Sequence, residues 1–459
     1  MAILTKAPRG TQDVLPSQSD KWNYLEQTTL DFARQFGFRE VRFPTFEHTE
    51  LFNRSVGDTT DVVQKEMYTF KDKSDRSITL RPEGTAGATR CMIEHGLFND
   101  ALPVRVSYVT SCFRYEKPQA GRLREFHQFG VEMYGAADAA ADAEVIALAS
   151  GILDNLGISG VGLKINSIGC PECRKKYHEA LRAYFESRRE QLCETCQGRL
   201  EKNPMRILDC KSPVCQEIAA SAPLILDYLC EDCRDHFEDL KSRLKMLQIP
   251  FEVDPRIVRG LDYYTRTVFE FVCTTIGAQG TVCGGGRYDG LVELLGGPKM
   301  PALGFAMGLE RLLLVMEQSS CPFPEPAPCA IYIGSLGRQA SHQAAKLVDM
   351  LRREGFGAQG DVMNRSIKAQ MKYADKLGAK FSCILGDLEL QNGVVNVKNM
   401  KTGESTPVSL TQDGGEGCPD LLSFLYDSAM HETMVDLSTA AAQFESSGDA
   451  AALLNELTK

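Results

Sequence analysis

At 459 residues the chain exceeds the ~250–300 at which single hydrophobic cores stop growing, so it holds more than one domain. Hydrophobic residues at 43% and charged residues at 24% are ordinary for a globular protein, no apolar run nears the ~20 residues of a membrane span, and the N-terminal MAILTKAPRGTQDVLP lacks the apolar stretch of a secretory signal. A net charge of −10 argues against a general nucleic-acid binder while allowing a local basic groove, and sixteen cysteines without an export signal read as thiols or metal ligands rather than disulfides.

In chain order, residues 19–36 carry helical spacing (Trp22, Leu25, Phe32, Phe36), with Ser19 as cap and Gly37 as stop. Phe38–Phe43 reads as a strand ended by Pro44. TLRPEGT (79–85) is a short strand stopped by Pro82 and followed by Glu83-Gly84-Thr85. RYEKPQAGRLREFHQF (114–129), continued by GVEMYG, predicts two strands around a loop that carries Lys117, Arg122 and Arg124. Alternation puts Arg114 and Glu116 on one face of the first strand, and Gln128 and Glu132 on one face of the second, with Gly130 leaving room for a ligand. A polar, charged face of this kind suits a substrate with anionic and cationic groups; a solvated hairpin is the competing reading.

Residues 166–250 form a mostly helical block with eight of the sixteen cysteines within 64 residues: CPEC (170–173), CETC (193–196), Cys210 with Cys215, and CEDC (230–233). Such spacing is the arithmetic of two four-cysteine zinc sites, or of one site with pairs left over, and reduced buried thiols would also account for it. Strand signals return from Phe251 to Gly286. Within them RGLDYYT (259–265) places Arg259, a forked donor suited to phosphate, ahead of Tyr263 and Tyr264, although packed tyrosines explain such a run more often. CGGGRYD (283–289) lets backbone approach a ligand closely, or makes a plain tight turn. In ALGFAMGLERLLLVMEQ (302–318), Arg311 stands in the first turn of a helix, against the helix dipole, which points it at an anionic ligand or at an internal ion pair.

SSCPFPEPAP (319–328) reads as a linker. Beyond it AIYIG (330–334), FSCILG (381–386) and VVNVKNM (394–400) are strands, and 338–354 and 366–377 are helices, arguing for a mostly parallel sheet covered by helices. Lys368, Lys372 and Lys376 recur on the second helix between Arg365 and Lys380, as a solvated face or as a footprint for a polyanion. The Ala/Ser-rich acidic stretch from Tyr426 carries no assignable role.

Taken together, FRYE…GRLREFHQF resembles motif 2 of the class II aminoacyl-tRNA synthetases, GFAMGLERL their motif 3, and GFREVRFPTFE (37–47) their motif 1. RGLDYYT and GGGRYDG are similar to the two signature peptides of the histidyl-tRNA synthetase family, which APRGTQDVLP and TLRPEGT also fit. The resemblance runs in order from about residue 5 to 425. It implies an α+β catalytic domain, an antiparallel sheet flanked by helices, over 1–165 and 251–320. It further implies a mainly helical insertion over 166–250, a C-terminal α/β anticodon-binding domain over 329–425, and a tail over 426–459.

The same resemblance implies an ATP-dependent ligase, cytoplasmic and without a membrane anchor. Such an enzyme makes histidyl-adenylate and pyrophosphate and then transfers histidine to the 3′ end of tRNA(His), as a homodimer joined through motif 1. Arg114 and Arg259 would flank the α-phosphate as catalytic cations, and Arg311 and Glu116 would meet the rest of ATP, which carries Mg²⁺. Glu83, Thr85 and Gln128 would hold the α-amino group, Glu132 and Tyr264 would bracket the imidazole, and Tyr263 and Tyr288 would line the same pocket. From the cysteine spacing and not from the resemblance, since the family as a whole needs no metal there, structural Zn²⁺ on Cys170, Cys173, Cys193, Cys196, Cys210, Cys215, Cys230 and Cys233 would fold the insertion without entering catalysis. A histidine-sensing regulatory subunit of ATP phosphoribosyltransferase is the main rival. Such paralogues depart from the ATP-binding arginines and lack the last domain, whereas both look intact here. A zinc-dependent scaffold with a relic core would show degraded motifs, and none is seen.

Overall fold

The computed structural model describes residues 4–57, 60, 62–210, 212–259, 263–273, 280–326, 328–410 and 418–446, so Gly260, Leu261 and Asp262 of the RGLDYYT motif and residues 447–459 of the tail lie outside the described residues. The chain divides into two units, Met1–Pro324 and Glu325–Lys459.

The first unit is built on an eight-stranded sheet of β1 (Arg39–Glu40), β2 (Val104–Phe113), β3 (Glu125–Tyr134), β4 (Val161–Ser167), β5 (Phe251–Val253), β6 (Thr265–Cys273), β7 (Thr281–Arg287) and β8 (Ala302–Gly308). Their order is β1-β2-β3-β8-β7-β6-β4-β5. The inner strands pair antiparallel, whereas β1 joins β2, and β5 joins β4, in parallel. Period-two alternation sorts the faces. Phe129, Val131 and Met133 of β3 enter a core shared with helices Pro16–Gln35, Ala139–Asn155, Glu231–Met246 and Leu309–Gln318. Gln128, Gly130 and Glu132 take the opposite face, where the cavity lies.

Local chemistry explains several boundaries. The first helix starts at Pro16, earlier than the cap expected at Ser19, because proline fits the first turn where no N–H is needed; Gly37, at φ 80°, ends it as expected. Of the expected 38–43 strand, Arg39–Glu40 pairs with β2 and the N–H of Val41 adds a last bond to the carbonyl of Ser107, after which the chain runs on to Pro44. The hairpin motif also differs: β2 ends at Phe113, so Arg114 and Glu116 occupy the loop after the strand rather than one strand face. Arg81 ties a small sheet (Phe46–His48, Thr69–Lys71, Ser77–Leu80) to the large one by donating to the carbonyls of Ser111, Phe43 and Pro44 at 2.6–2.9 Å.

Arg287, in the glycine-rich motif, is fully buried and pairs with Asp142 at 2.6 Å while donating to the carbonyls of Ala136 and Asp138. A paired, hydrogen-bonded buried charge is tolerated, and removing one partner typically costs ~3–5 kcal/mol. Its role is therefore to join helix Ala139–Asn155 to the sheet.

Residues 171–246 between β4 and β5 form helices Pro171–Glu186, Glu194–Lys202, Pro213–Ala219 and Glu231–Met246. Their buried side chains, Tyr177, Leu181, Phe185 and Ile207 among them, form one cluster with Tyr134, Tyr263, Tyr264 and Tyr288 of the sheet and its loops.

The second unit has strands Ile331–Ser335, Ala358–Gly360, Phe381–Leu385, Val394–Asn399 and Ser405–Ser409. Ile331–Ser335 pairs in parallel with Ala358–Gly360 and Phe381–Leu385, while the last two strands join antiparallel. The sheet is thus mixed rather than mostly parallel. Val394–Asn399 returns as a hairpin with Ser405–Ser409, a short polar strand with little apolar signal. Lys368, Lys372 and Lys376 lie exposed along helix Ile367–Lys376, with Gln370 and Ala374 buried beneath. Tyr426 belongs to helix Pro419–Ser446 and packs its ring on Phe356 at 4.8 Å.

Candidate active site

A cavity of about 460 Å³ opens on the polar face of the sheet in the first unit. It is within the usual range for ligand sites, ~300–1,000 Å³. Of the residues singled out by sequence, Glu83, Thr85, Arg114, Glu116, Gln128, Arg259, Tyr263, Tyr264, Tyr288 and Arg311 line it, and Glu132 stands just behind.

One end is cationic. Arg114 leaves the end of β2 and donates from Nε to the carbonyl of Pro82 at 2.7 Å. Arg311 reaches back from helix Leu309–Gln318 and donates to the carbonyls of Thr281 at 2.7 Å and Gly121 at 3.2 Å. A carbonyl anchors a guanidinium without cancelling its charge, so neither arginine is neutralised by these contacts. Burial, and then the charges of Arg122, Arg114 and Arg259, draw the pKa of Arg311 below its ordinary value. Like charges held this close, partly out of water, form a preorganised site for an anion.

Arg259 pairs with Glu270 and lies 5.9 Å above the ring of Tyr264. Burial works against its charge, but Tyr264 and Glu270 more than offset this and raise its pKa. The glycine run explains the approach: β7 sets Gly284 opposite Glu270, and any Cβ at Gly284 would collide with the Arg259 guanidinium. Glu270 also accepts from Thr281 at 3.0 Å, and as a hard oxygen donor among the arginines it suits a Mg²⁺ ion carried by a phosphate ligand. Glu116 pairs with Arg122 from across the loop. The other acid of the motif-3 helix, Glu310, accepts at 2.9 Å from the backbone N–H of His127 and contacts its Nδ1 at 2.9 Å, raising the imidazole pKa despite burial.

The other end is aromatic. The rings of Tyr263 and Tyr264 lie 4.8 Å apart, and that of Tyr288 is 5.3 Å from Tyr263 and 6.0 Å from Tyr264. Glu132 is fully buried and accepts hydrogen bonds from Tyr108, at 2.8 Å, and from Tyr288. Burial lifts its carboxyl pKa well above the ordinary range; Thr85 and Tyr108 oppose this and the charge of Glu83 adds to it. Glu83 caps helix Thr85–Glu94, accepting from the backbone N–H groups of Thr85 and Ala86 at 2.8 Å each. Burial raises its pKa too, against those two amides. Gln128 accepts a weak hydrogen bond from Cys112 at 3.3 Å.

Gly130 does not leave the space for a ligand expected from its position. A Cβ there, or at Gly84, would overlap the Tyr108 ring, which fills that room and holds Glu132. Tyr108, Glu270 and Asp209 were not legible as site residues. Tyr108 looks like an ordinary apolar member of an alternating strand. Glu270, the lone acid in TRTVFEFVC, could have been found from its register opposite the glycine run. Asp209 reaches the cavity from the insertion, far away in sequence.

The cysteines separate into two groups: Cys170, Cys173, Cys230 and Cys233, and Cys193, Cys196, Cys210 and Cys215, the Sγ atoms of each lying within 4.8 Å of one another.

A family model described as histidyl-tRNA synthetase matches residues 10–312, and one described as anticodon binding domain matches residues 330–412. The chain belongs to the histidyl-tRNA synthetase family. It is 55% identical over 408 residues to a histidine–tRNA ligase of Acetivibrio thermocellus, covering 89% of this chain and 98% of the relative. It is also 55% identical over 410 residues to that of Clostridium novyi, with 89% and 97% covered. The structure resembles apo Staphylococcus aureus histidyl-tRNA synthetase with a TM-score of 0.77 at 43% identity, covering 89% of this chain and 98% of that one. The activity is therefore that of an aminoacyl-tRNA ligase, charging tRNA with histidine by means of ATP, rather than that of the regulatory paralogue. The architecture is the class II α+β catalytic fold with a helical insertion and a separate C-terminal anticodon-binding domain.

Proposed function

We propose that the cationic end of the cavity holds ATP and the aromatic end holds histidine, so that the amino-acid carboxylate meets the α-phosphate between them. As the carboxylate oxygen attacks phosphorus and pyrophosphate leaves, charge grows on the non-bridging oxygens. Arg114 and Arg259 stabilise it from two sides as fixed cations that need no reorganisation. Arg311 and Glu116 hold the adenine and γ-phosphate end. Glu270 would be the carboxylate available to a Mg²⁺ ion carried by ATP, which would supply screening of the phosphate charges. At the other end Glu83, Thr85 and Gln128 take the α-amino group. Glu132 and Tyr264 read the two imidazole nitrogens, with Tyr263 and Tyr288 closing the pocket. A side chain lacking either nitrogen leaves buried polar groups unpaired, which is the strongest available basis for rejection.

The observation that carries this reading is the convergence of Arg114, Arg259 and Arg311 on one end of the cavity beside the buried Glu132–tyrosine network. Lys368, Lys372 and Lys376 support tRNA(His) contact by the second unit through phosphate charge. Residues 37–47 would form the homodimer contact: β1 lies at the edge of the large sheet, and Phe46 is 56% exposed on an outer strand of the small one. A tRNA-charging role agrees with a cytoplasmic location; among the described residues no helix is long and apolar enough to cross a membrane. The cysteine groups fit structural zinc.

ATP–pyrophosphate exchange with each of the twenty amino acids tests the cavity assignment. Exchange is expected with histidine alone; exchange with a residue lacking the imidazole would overturn the pocket roles.

A further inference from the structure

We propose that the insertion holds two Zn²⁺ ions in nested tetrathiolate sites, and that these ions position the catalytic cavity rather than merely folding the insertion; the second half of this inference rests on the cavity being the amino-acid-activating site. The outer site is Cys170, Cys173, Cys230 and Cys233, and the inner one, enclosed by it in sequence, is Cys193, Cys196, Cys210 and Cys215.

The geometry selects a single ion per group. A tetrahedral Zn–S₄ centre with bonds of ~2.3 Å places its sulfurs ~3.8 Å apart. Cys170 lies 3.5 Å from Cys173 and 4.0 Å from Cys230, and Cys193 lies 3.8 Å from Cys210, sulfur to sulfur. Disulfides would need ~2.05 Å. Iron–sulfur clusters, which interpose sulfide between iron and iron, spread their cysteines wider.

Each C-x-x-C pair straddles the start of a helix, with Cys170, Cys193 and Cys230 immediately before the first turn. Backbone N–H groups point at sulfur from Cys230 to Cys173 at 3.1 Å, from Cys193 to Cys215 at 3.3 Å and from Ser212 to Cys210 at 3.4 Å. Such donors favour thiolates, the form that binds metal. Because ligands from distant segments meet only in the fold, binding energy here is folding energy.

Both sites run directly into the cavity wall. Next to Cys173, Arg174 donates from Nη1 to the carbonyl of Tyr264 at 3.0 Å. Next to Cys170, the carbonyl of Gly169 accepts from the N–H of Arg266 at 2.9 Å, and Ile168 donates to the carbonyl of Arg266 at 2.7 Å. The outer ion thus fixes the strand start that carries Tyr264. From the inner site, Asp209 precedes Cys210 and lines the cavity itself. The core of the insertion is continuous with Tyr263, Tyr264 and Tyr288, so a shift of either site is transmitted by packing as well as by hydrogen bonds.

Elemental analysis of the full-length protein, grown without zinc supplement, is expected to give two zinc ions per chain, falling to one in Cys233→Ser and in Cys196→Ser. Fewer than one in the native protein would overturn the sites, whatever the exchange activity. The coupling is tested apart from the cysteines. Arg174→Gln should keep both ions and raise the histidine KM in pyrophosphate exchange about tenfold, as for loss of one charge-assisted hydrogen bond, with the ATP KM unchanged. An unchanged histidine KM in a protein that retains two zinc ions would overturn the positioning role. Loss of histidine-dependent exchange in the native protein, with two zinc ions present, would instead sink the cavity assignment and leave the metal sites standing.

Discussion

At one end of the cavity Arg114, Arg122, Arg259 and Arg311 gather, with Glu116 paired to Arg122 and Glu270 to Arg259; at the other, Glu132 is surrounded by tyrosines and has a hydrogen-bond donor on each carboxyl oxygen. The arginine end is in tension until an anion arrives. Two of its members are held by carbonyls, which orient a cation and leave its charge for the ligand. At the tyrosine end burial raises the pKa of both Glu132 and Glu83, and their hydrogen bonds oppose it. The contrast teaches that two equally polar walls can serve opposite ends. Gathered like charge favours chemistry on a phosphate, whereas a buried hydrogen-bonding network discriminates by what a wrong ligand would leave unpaired.

Breaking the charged end should have the largest effect. Arg259→His is expected to lower histidine-dependent adenylate formation by ~10² or more, with little change in histidine binding, because one transition-state cation is lost. Near-normal pyrophosphate exchange in that variant would remove Arg259 from the mechanism.

The discriminating end should fail differently. Glu132→Gln and Tyr264→Phe each remove one partner of a buried polar pair, worth ~1–3 kcal/mol, and so should raise the histidine KM about 10- to 100-fold while sparing the ATP KM. Equal rises in both constants would mean that the two ends are not separate.

A smaller effect sharpens the boundary between them. His127 faces Glu310, Glu125 and Glu26 and stacks edge-on against Trp22, and Glu310 raises its pKa. A group whose folded pKa exceeds its unfolded value of ~6.5 contributes stability that is complete below that value and fades as pH rises through the folded one. The stability gap between the native protein and His127→Gln should thus be about 1 kcal/mol or less near pH 6 and shrink toward pH 8. Thermal melts across that range would disprove this by showing a gap that is constant or grows.

Much of the site was legible because its chemistry is tied to uncommon residue types in short motifs. Arginines beside glycines, and an acid on the polar face of a strand, stand out whatever surrounds them. In the second unit the strands near 330–334, 381–386 and 394–400 and the helices near 338–354 and 366–377 followed from periodicity, whereas the insertion was read only as a mostly helical block. What was missed has physical causes. The strand ending at Phe113 stops where its ladder stops, which depends on the partner's length rather than on the residues of the loop. Gly130 was read as space for a ligand because only the fold reveals that Tyr108 already fills it.

By itself the sequence determined the family, the order of elements, the cationic and aromatic sets, and the existence of four cysteine pairs. Spacing along a chain reports local geometry, and these are local facts. The tertiary structure alone decided which pairs meet, joining Cys170 and Cys173 to Cys230 and Cys233 across the inner set. It alone buried Arg287 on Asp142 and carried Asp209 from the insertion into the cavity. Each of those contacts joins segments far apart in the chain, where partner choice is set by packing and burial, and no local pattern encodes it.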